Sequence, residues 1–193
     1  LNNIMKHIKL FAAIVAMTFC GTVSAQENFL KVSYSNVAIK ASAGGLSYTQ
    51  NMNGLSVGVS QARVLPGELP FLYEYGADFL MAFGDDKSTL VSAVVPVSLM
   101  YNLDLGQIQL LPFAGLNLTA HIIGQNKYDD YTYNWFKDDE DGDARNRFQL
   151  GAQFGAKALY GKYFLGISYQ PSLTKFADSV NLNVLNVSFG ISF

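Results

Sequence analysis

Apolar and polar positions alternate along most of this chain. Between 89 and 103 one parity holds Val91, Ala93, Val95, Val97, Leu99, Tyr101 and Leu103. The other carries Ser92, Ser98 and Asn102, together with Val94, Pro96 and Met100. From 108 to 123 the apolar set is Ile108, Leu110, Pro112, Ala114, Leu116, Leu118, Ala120 and Ile122, set against Gln109, Gly115, Asn117, Thr119 and His121. Phe148, Leu150, Ala152, Phe154, Ala156 and Ala158 alternate with Gln149, Gly151, Gln153, Gly155 and Lys157. Tyr73, Tyr75, Ala77, Phe79, Met81 and Phe83 alternate with Glu74, Gly76 and Asp78. Shorter runs centre on Val57, Ile167 and Val187. Successive side chains of a strand point to opposite faces, so each run predicts a strand with one apolar face.

The first such run is Val37, Ile39, Ala41 and Ala43, with Lys40 and Ser42 opposite. Parity then slips to Leu46 and Tyr48, which predicts a bulge at Gly44-Gly45. Eight strands are expected in all. Runs of this length exceed the usual five or six residues of globular sheets and suit a tilted membrane crossing of about 9–11 residues. The polar faces hold Gly, Ser, Gln and Asn rather than the Lys and Glu of a solvated surface, which fits a crowded lumen.

Connections point the same way. Pro66-Gly67-Glu68, 104–107 and Tyr160-Gly161-Lys162 are tight, whereas 50–54, 84–88, 125–146 and 172–182 are read as the longer set. Short turns on one side and long loops on the other are the arrangement of outer-membrane barrels. Tyr48, Tyr73, Tyr101 and Tyr163 are candidates for interfacial girdles. Pro96, Pro112 and Pro171 oppose this map, because each deletes a ladder hydrogen bond; they are expected at bulges or strand ends. The expected fold is all-β: an eight-stranded antiparallel up-and-down transmembrane barrel.

The start of the chain is read separately. Lys6 and Lys9, the apolar run 10–19 and then Val23-Ser24-Ala25 form the pattern of a secretory signal peptide. Met5 is the expected start, with residues 1–4 upstream, so 1–25 is assigned as signal and 26–193 as barrel domain. Cys20 is the single cysteine and would leave with the signal, which excludes a disulfide framework. Charged residues make up only 15% of the 193 residues, against about 25% in an ordinary soluble domain. Removing two of the 13 basic residues and none of the 15 acids gives a net charge of 11 − 15 = −4. No basic stripe or zinc spacing suggests nucleic acid.

The final stretch 182–193 alternates Leu185, Val187, Phe189, Ile191 and Phe193 with Asn186, Ser188, Gly190 and Ser192. It resembles the C-terminal signal by which the barrel-assembly machinery recognises outer-membrane proteins, and a terminal Phe193 fits a signal that a tail would bury. Together with VVPVSLMYNL (94–103), LLPFAGLNL (110–118) and FLGISYQPSLT (164–174), it resembles the small outer-membrane β-barrel family common in Bacteroidetes. That family is architecturally similar to the OmpX and OmpA barrels. The resemblance implies a Gram-negative outer membrane, contact with lipid and lipopolysaccharide, and a monomer. It brings no common catalytic motif and no cofactor, so no catalytic residue is assigned.

Three groups of residues are singled out. Lys40, Glu74, Asp78, His121, Gln149, Gln153 and Lys157 share the predicted inner face and are expected to form a lumen network, since buried charges need pairing. The segment 126–146 holds seven acids and three bases. Within it Asp139, Asp141 and Asp143 hint at a cation, but EF-hand spacing fails, because Lys137 and Phe148 fall where acids are required. Tyr131, Tyr133, Trp135 and Phe136 offer a contact surface for a partner or glycan, or else fold back onto the barrel rim. A structural or surface-interaction role follows. The alternatives are a soluble lipocalin-like binder, a narrow pore, and a lipid A-modifying enzyme using His121, for which no partner serine stands out.

Overall fold

The computed structural model describes residues 26–43, 45–67, 69–85, 87–128, 131–137 and 145–193. The segment assigned as signal peptide lies outside them, as do Asp139, Asp141 and Asp143. Ten strands follow in chain order: β1 (Gln26–Ala43), β2 (Leu46–Val64), β3 (Phe71–Gly84), β4 (Ser88–Tyr101), β5 (Leu103–Asp104), β6 (Ile108–Lys127), β7 (Thr132–Asn134), β8 (Phe148–Tyr160), β9 (Tyr163–Pro171) and β10 (Val180–Ser192). Eight of these are long. They pair antiparallel in the order β4-β3-β2-β1-β10-β9-β8-β6, and a β4–β6 ladder closes the ring. The remaining two, β5 and β7, are short additions to β6.

The alternating pattern sets which side faces out. Val57, Phe83, Val97, Leu116, Phe154, Ile167, Val187 and Phe189 are exposed on the outer wall, and Ser56, Glu74, Asp78, Ser98, Asn117, Gln153 and Lys157 are buried within. A lipocalin-like binder requires the reverse, with apolar walls around a cavity.

Three details differ from the sequence reading. In place of the bulge expected at 44–45, β1 and β2 pair as a continuous hairpin with Ala43 opposite Leu46, and Gly45 has the positive φ of a turn. Residues 50–54 therefore lie inside β2. The inward parity of β1 is also reversed: Val37 and Ile39 are buried in the lumen, and Leu30, Val32 and Tyr34 face out. Lys40 consequently stands on the outer face and is exposed. The cause is local. Near this end the lumen is packed with Trp135 and Phe176, so apolar wall residues are stabilised facing inward.

The prolines sit where the ladder lapses. Opposite Pro96 the β3–β4 register skips Gly76 and Ala77. Pro112 lies where β6 passes from pairing β4 to pairing β5, and Pro171 ends β9. The bulge in the β4–β6 ladder is elsewhere, between Val91 and Ser92.

Candidate functional site: a filled lumen and an uneven rim

The lumen is built in three layers. At the end of the short turns, Phe29, Ala62, Leu72, Met100, Leu111, Leu159 and Phe164 form one apolar cluster. At the opposite end a second cluster joins Val37, Met52, Leu80, Leu90, Leu182 and Val184 to Trp135 and Phe176 from the connections. Between them lies a polar layer.

Two ion pairs organise that layer. Glu74 and Asp78 project from β3 because both occupy its inner parity. Lys157 of β8 meets Glu74 Oε1 at 2.5 Å, and Ser60 Oγ donates to the same oxygen at 2.5 Å. Lys31 of β1 meets Asp78 Oδ2 at 2.8 Å. The Lys157 ammonium also lies over the Phe29 ring, 4.5 Å from its centroid. Around these pairs, Ser33 and Ser188 share a hydrogen bond of 2.8 Å, Ser35 donates to Asn186 Oδ1 at 2.7 Å, and Gln153 Nε2 donates to Ser98 Oγ at 2.6 Å. Ser60 adds a hydrogen bond to the Glu74 carboxylate, whereas Asp78 Oδ1 is buried without a hydrogen-bond partner and relies on Lys31 alone for its charge balance.

His121 sits higher, beneath the second apolar cluster. The β4–β6 register sets it directly opposite Ser92. Ser92 Oγ lies 2.8 Å from Nδ1, and Gln149 Oε1 lies 2.8 Å from Nε2. Gln149 Nε2 donates to the Thr174 carbonyl, so its oxygen faces the ring. That oxygen only accepts; hence Nε2 carries the proton and Nδ1 accepts from Ser92. Phe136 stacks on the imidazole and Phe176 meets it edge-on. The serine that the sequence did not point to is thus Ser92, whose spacing from His121 becomes meaningful only through the strand pairing.

Above His121 the connections close the barrel. Trp135 is 2% exposed, and its indole N–H donates to Asn126 Oδ1 at 2.8 Å. The Arg145 guanidinium lies 4.4 Å over the Trp135 ring, and Arg147 lies 4.6 Å over Phe136. Of the four aromatics singled out as a contact surface, Trp135 is therefore the plug, and Tyr133 and Phe136 pack against it. Only Tyr131 is exposed, stacked on Tyr128 at 4.8 Å. No group of three metal-ligating side chains occurs among the described residues. A cavity of about 20 Å³ beside Asn117, Thr119, Gln149 and Gln170 has room for a single water.

The outer surface changes character along β1 and β2. Leu30, Val32, Leu55 and Val57 are followed by Asn36 and Asn53, where Tyr34 Oη and Asn36 Nδ2 both donate to Asn53 Oδ1, at 2.7 and 2.9 Å. Beyond them come Asn51, Thr49, Ser47 and Lys40, all exposed. Leu185, Val187 and Phe189 of the terminal strand are exposed on the outer wall, and Phe193 exchanges backbone hydrogen bonds with Asn28.

No family model and no curated protein matches the chain in sequence. Solved structures do match in shape. Ail, the attachment invasion locus protein of Yersinia pestis, is 11% identical, with 88% of this chain and all of Ail covered at a TM-score of 0.52. The outer membrane enzyme PagL is 14% identical, with 83% of this chain and 98% of PagL covered at 0.55. The chain has the fold of the small outer-membrane β-barrels. Neisserial surface protein A is a further match, at 14% identity and a TM-score of 0.47, with 84% and 95% covered.

Proposed function

We propose that this chain is an outer-membrane β-barrel with a closed lumen. Its role lies in envelope structure and in contacts made by its loop-bearing end, without catalysis or conduction. The observation that carries this is the three-layered filling of the interior, apolar at both ends and ion-paired between. An eight-stranded ring holds little more than its own side chains. The outer wall, with its continuous apolar band, suits hydrocarbon. What remains for interaction is the rim where 128–147 and the β1–β2 hairpin emerge, which in this reading faces outward from the cell. The family placement in Bacteroidetes, the cleaved signal peptide, the contact with lipopolysaccharide and the monomeric state belong to the same proposal.

The test has two parts. In planar bilayers the folded protein should give no single-channel steps; discrete steps would favour the pore. Cells lacking the chain should differ from complemented cells in surface attachment or detergent sensitivity. A folded protein in detergent-free buffer would overturn the membrane assignment.

One observation favours an enzyme as second reading. In Ser92–His121–Gln149, the serine donates to a histidine base whose other nitrogen is held by an amide, which is the logic of an activated nucleophile. Against it, Ser92 is fully buried and the aromatic plug lies above the imidazole. A fluorophosphonate that labels the wild-type protein but not Ser92→Ala would establish it; an unlabelled protein, also after Trp135→Ala, excludes it.

A further inference from the structure

The apolar band on the outer wall of β2 is bounded at both ends by bridged carboxamides. At the loop-bearing end these are Asn36 and Asn53. At the end of the short turns the bridged residue is Gln61, which shares the outer parity of Leu55 and Val57 yet is only 2% exposed. The run from 53 to 61, at a rise of about 3.4 Å per residue and a tilt of about 35–45°, covers roughly 20 Å along the membrane normal. Gln61 therefore stands at one boundary of the hydrocarbon. Tyr73, Tyr75, Tyr101, Tyr160 and Tyr163 share the outer parity at this end and mark the same boundary as an aromatic girdle.

A chain of side-chain hydrogen bonds crosses the wall here. Gln61 Oε1 accepts from Tyr75 Oη, and from Arg63 Nε and Nη2 at 3.2 and 2.9 Å. Gln61 Nε2 donates to Asn28 Oδ1 at 3.1 Å, and Asn28 Nδ2 donates to the Phe193 carbonyl at 3.2 Å. The chain joins β3, β2, β1 and the end of β10 on the lipid side. Its consequence falls on Arg63, which is partly exposed. The Nε–Nη2 edge is fixed on Gln61, so the guanidinium plane is set and the Nη1–Nη2 edge points away from that carboxamide. Among the described residues Arg63 makes no ion pair. A charge on the lipid face is costly at mid-membrane and tolerated near the interface, where phosphate oxygens supply the opposite charge. The end edge of a guanidinium matches two oxygens of one phosphate.

We infer that Arg63, oriented by Gln61, Tyr75 and Asn28, is a binding site for one anionic phospholipid. The phosphodiester meets the end edge of the guanidinium, and the acyl chains lie along Leu30, Val57 and Val59 of the outer wall. The inference rests on the reading that the loop-bearing rim faces outward from the cell, which sets Arg63 in the inner leaflet. An arginine without a carboxylate favours a headgroup of net negative charge over a zwitterion, whose own ammonium already offsets its phosphate. Tyr73 opposes Arg63 across the β2–β3 ladder and stacks on Tyr75, 6.2 Å between centroids, so a second phenol flanks the site. Lys162 lies at the same end, with its ammonium 5.6 Å over the Tyr163 ring, but it is a point charge without an oriented fork.

The test reads lipid retention by the folded barrel in native mass spectrometry, from detergent holding equal amounts of dioleoyl phosphatidylglycerol and dioleoyl phosphatidylcholine. One phosphatidylglycerol should be retained with a preference of roughly tenfold. Arg63→Gln should abolish the preference. Arg63→Lys keeps the charge without the fork and should lose most of it. Gln61→Leu keeps the arginine but releases its side chain, and should lower the preference about threefold, whereas Lys162→Gln should leave it unchanged. All four side chains lie outside the lumen, so heat-modifiable mobility should show each variant folded. Equal retention of the two lipids, a preference that survives Arg63→Gln, or an equal loss with Lys162→Gln overturns the inference. Displacement of the lipid by excess inorganic phosphate also overturns it, in favour of a free-phosphate site. Orientation is tested in cells. Residues 26–193 contain no cysteine, so Lys162→Cys adds a single thiol, which should react with an impermeant maleimide only after the outer membrane is opened. Labelling in intact cells overturns the outward rim and with it the inner-leaflet assignment; the expected labelling without lipid preference overturns the lipid site alone.

Discussion

Lys157 on β8 meets Glu74 on β3 in the middle of the lumen, three strand boundaries away around the ring, at 2.5 Å. The contact ties opposite parts of the wall together in a layer that water does not enter freely. Glu74→Ala leaves the ammonium buried without its partner, which costs about 3–5 kcal/mol. Replacing both residues, as Glu74→Gln with Lys157→Met, should cost less than the single change. Urea unfolding in lipid vesicles, read by heat-modifiable gel mobility, checks the order.

Trp135 is the single tryptophan of the chain, so its emission reports the plug alone. It should be blue-shifted and protected from iodide. Phe176→Ala removes the ring packed edge-on against the indole and should open it to quenching. Trp135→Ala should cost about 3–5 kcal/mol, as large-to-small truncations in a packed interior do. A red, fully quenched emission in the wild type would contradict the burial described above.

Gly58 lies against the Asp78 carboxylate on the lumen side, where a Cβ would overlap Oδ1 and press on Lys31. Gly58→Val should therefore displace the Lys31–Asp78 pair and reduce the folded fraction severely. Gly45→Ala is the contrasting change: its positive φ of 83° imposes strain, but nothing lies within contact distance. It should cost only about 1 kcal/mol.

Ser92→Ala leaves His121 Nδ1 without its donor. An unsatisfied buried acceptor costs about 1–3 kcal/mol. The combination with His121→Leu should recover part of that loss, because the apolar side chain suits Phe136 and Phe176. Thermal shifts of folded-band intensity on gels give the comparison.

Phe193 is 62% exposed on the outer wall and holds Asn28 through its backbone. On a wall that faces hydrocarbon, Phe193→Ala should cost about 1.5–3 kcal/mol of unfolding free energy, the transfer term of the lost ring. If the resemblance to the assembly signal holds, folded protein in cells should fall further than that loss explains. Equal loss in refolding from urea, where no assembly machinery is present, would assign the effect to stability instead.

Much of this fold was legible because period-two alternation records which wall of a strand meets which medium. That record served for β3, β4, β6, β8 and β10, where greasy residues look out and small polar ones look in. It misled at Val37 and Ile39, since their inward neighbours are Trp135 and Phe176, supplied by connections distant in sequence. The same error put Lys40 in the lumen and overlooked Lys31, six residues before Val37 and of its parity, which is the true partner of Asp78. Ser92 escaped notice because it is one serine among many until the β4–β6 register, with its bulge, sets it opposite His121. The plug role of Trp135 depends on where a loop turns back, and local pattern carries no information on that.

The two ion pairs differ in how much chain they enclose. Lys31 and Asp78 belong to the first three strands, whereas Lys157 and Glu74 are 83 residues apart. Neutralisation of the central layer accordingly draws on both halves of the chain. The meander of β1 to β3 holds Lys31 together with Asp78 and Glu74, one cation for two acids, and Glu74 gains an ion-pair partner of its own only from β8. A ring lacking β8 would therefore be one positive charge short in a setting that disfavours an unpaired carboxylate.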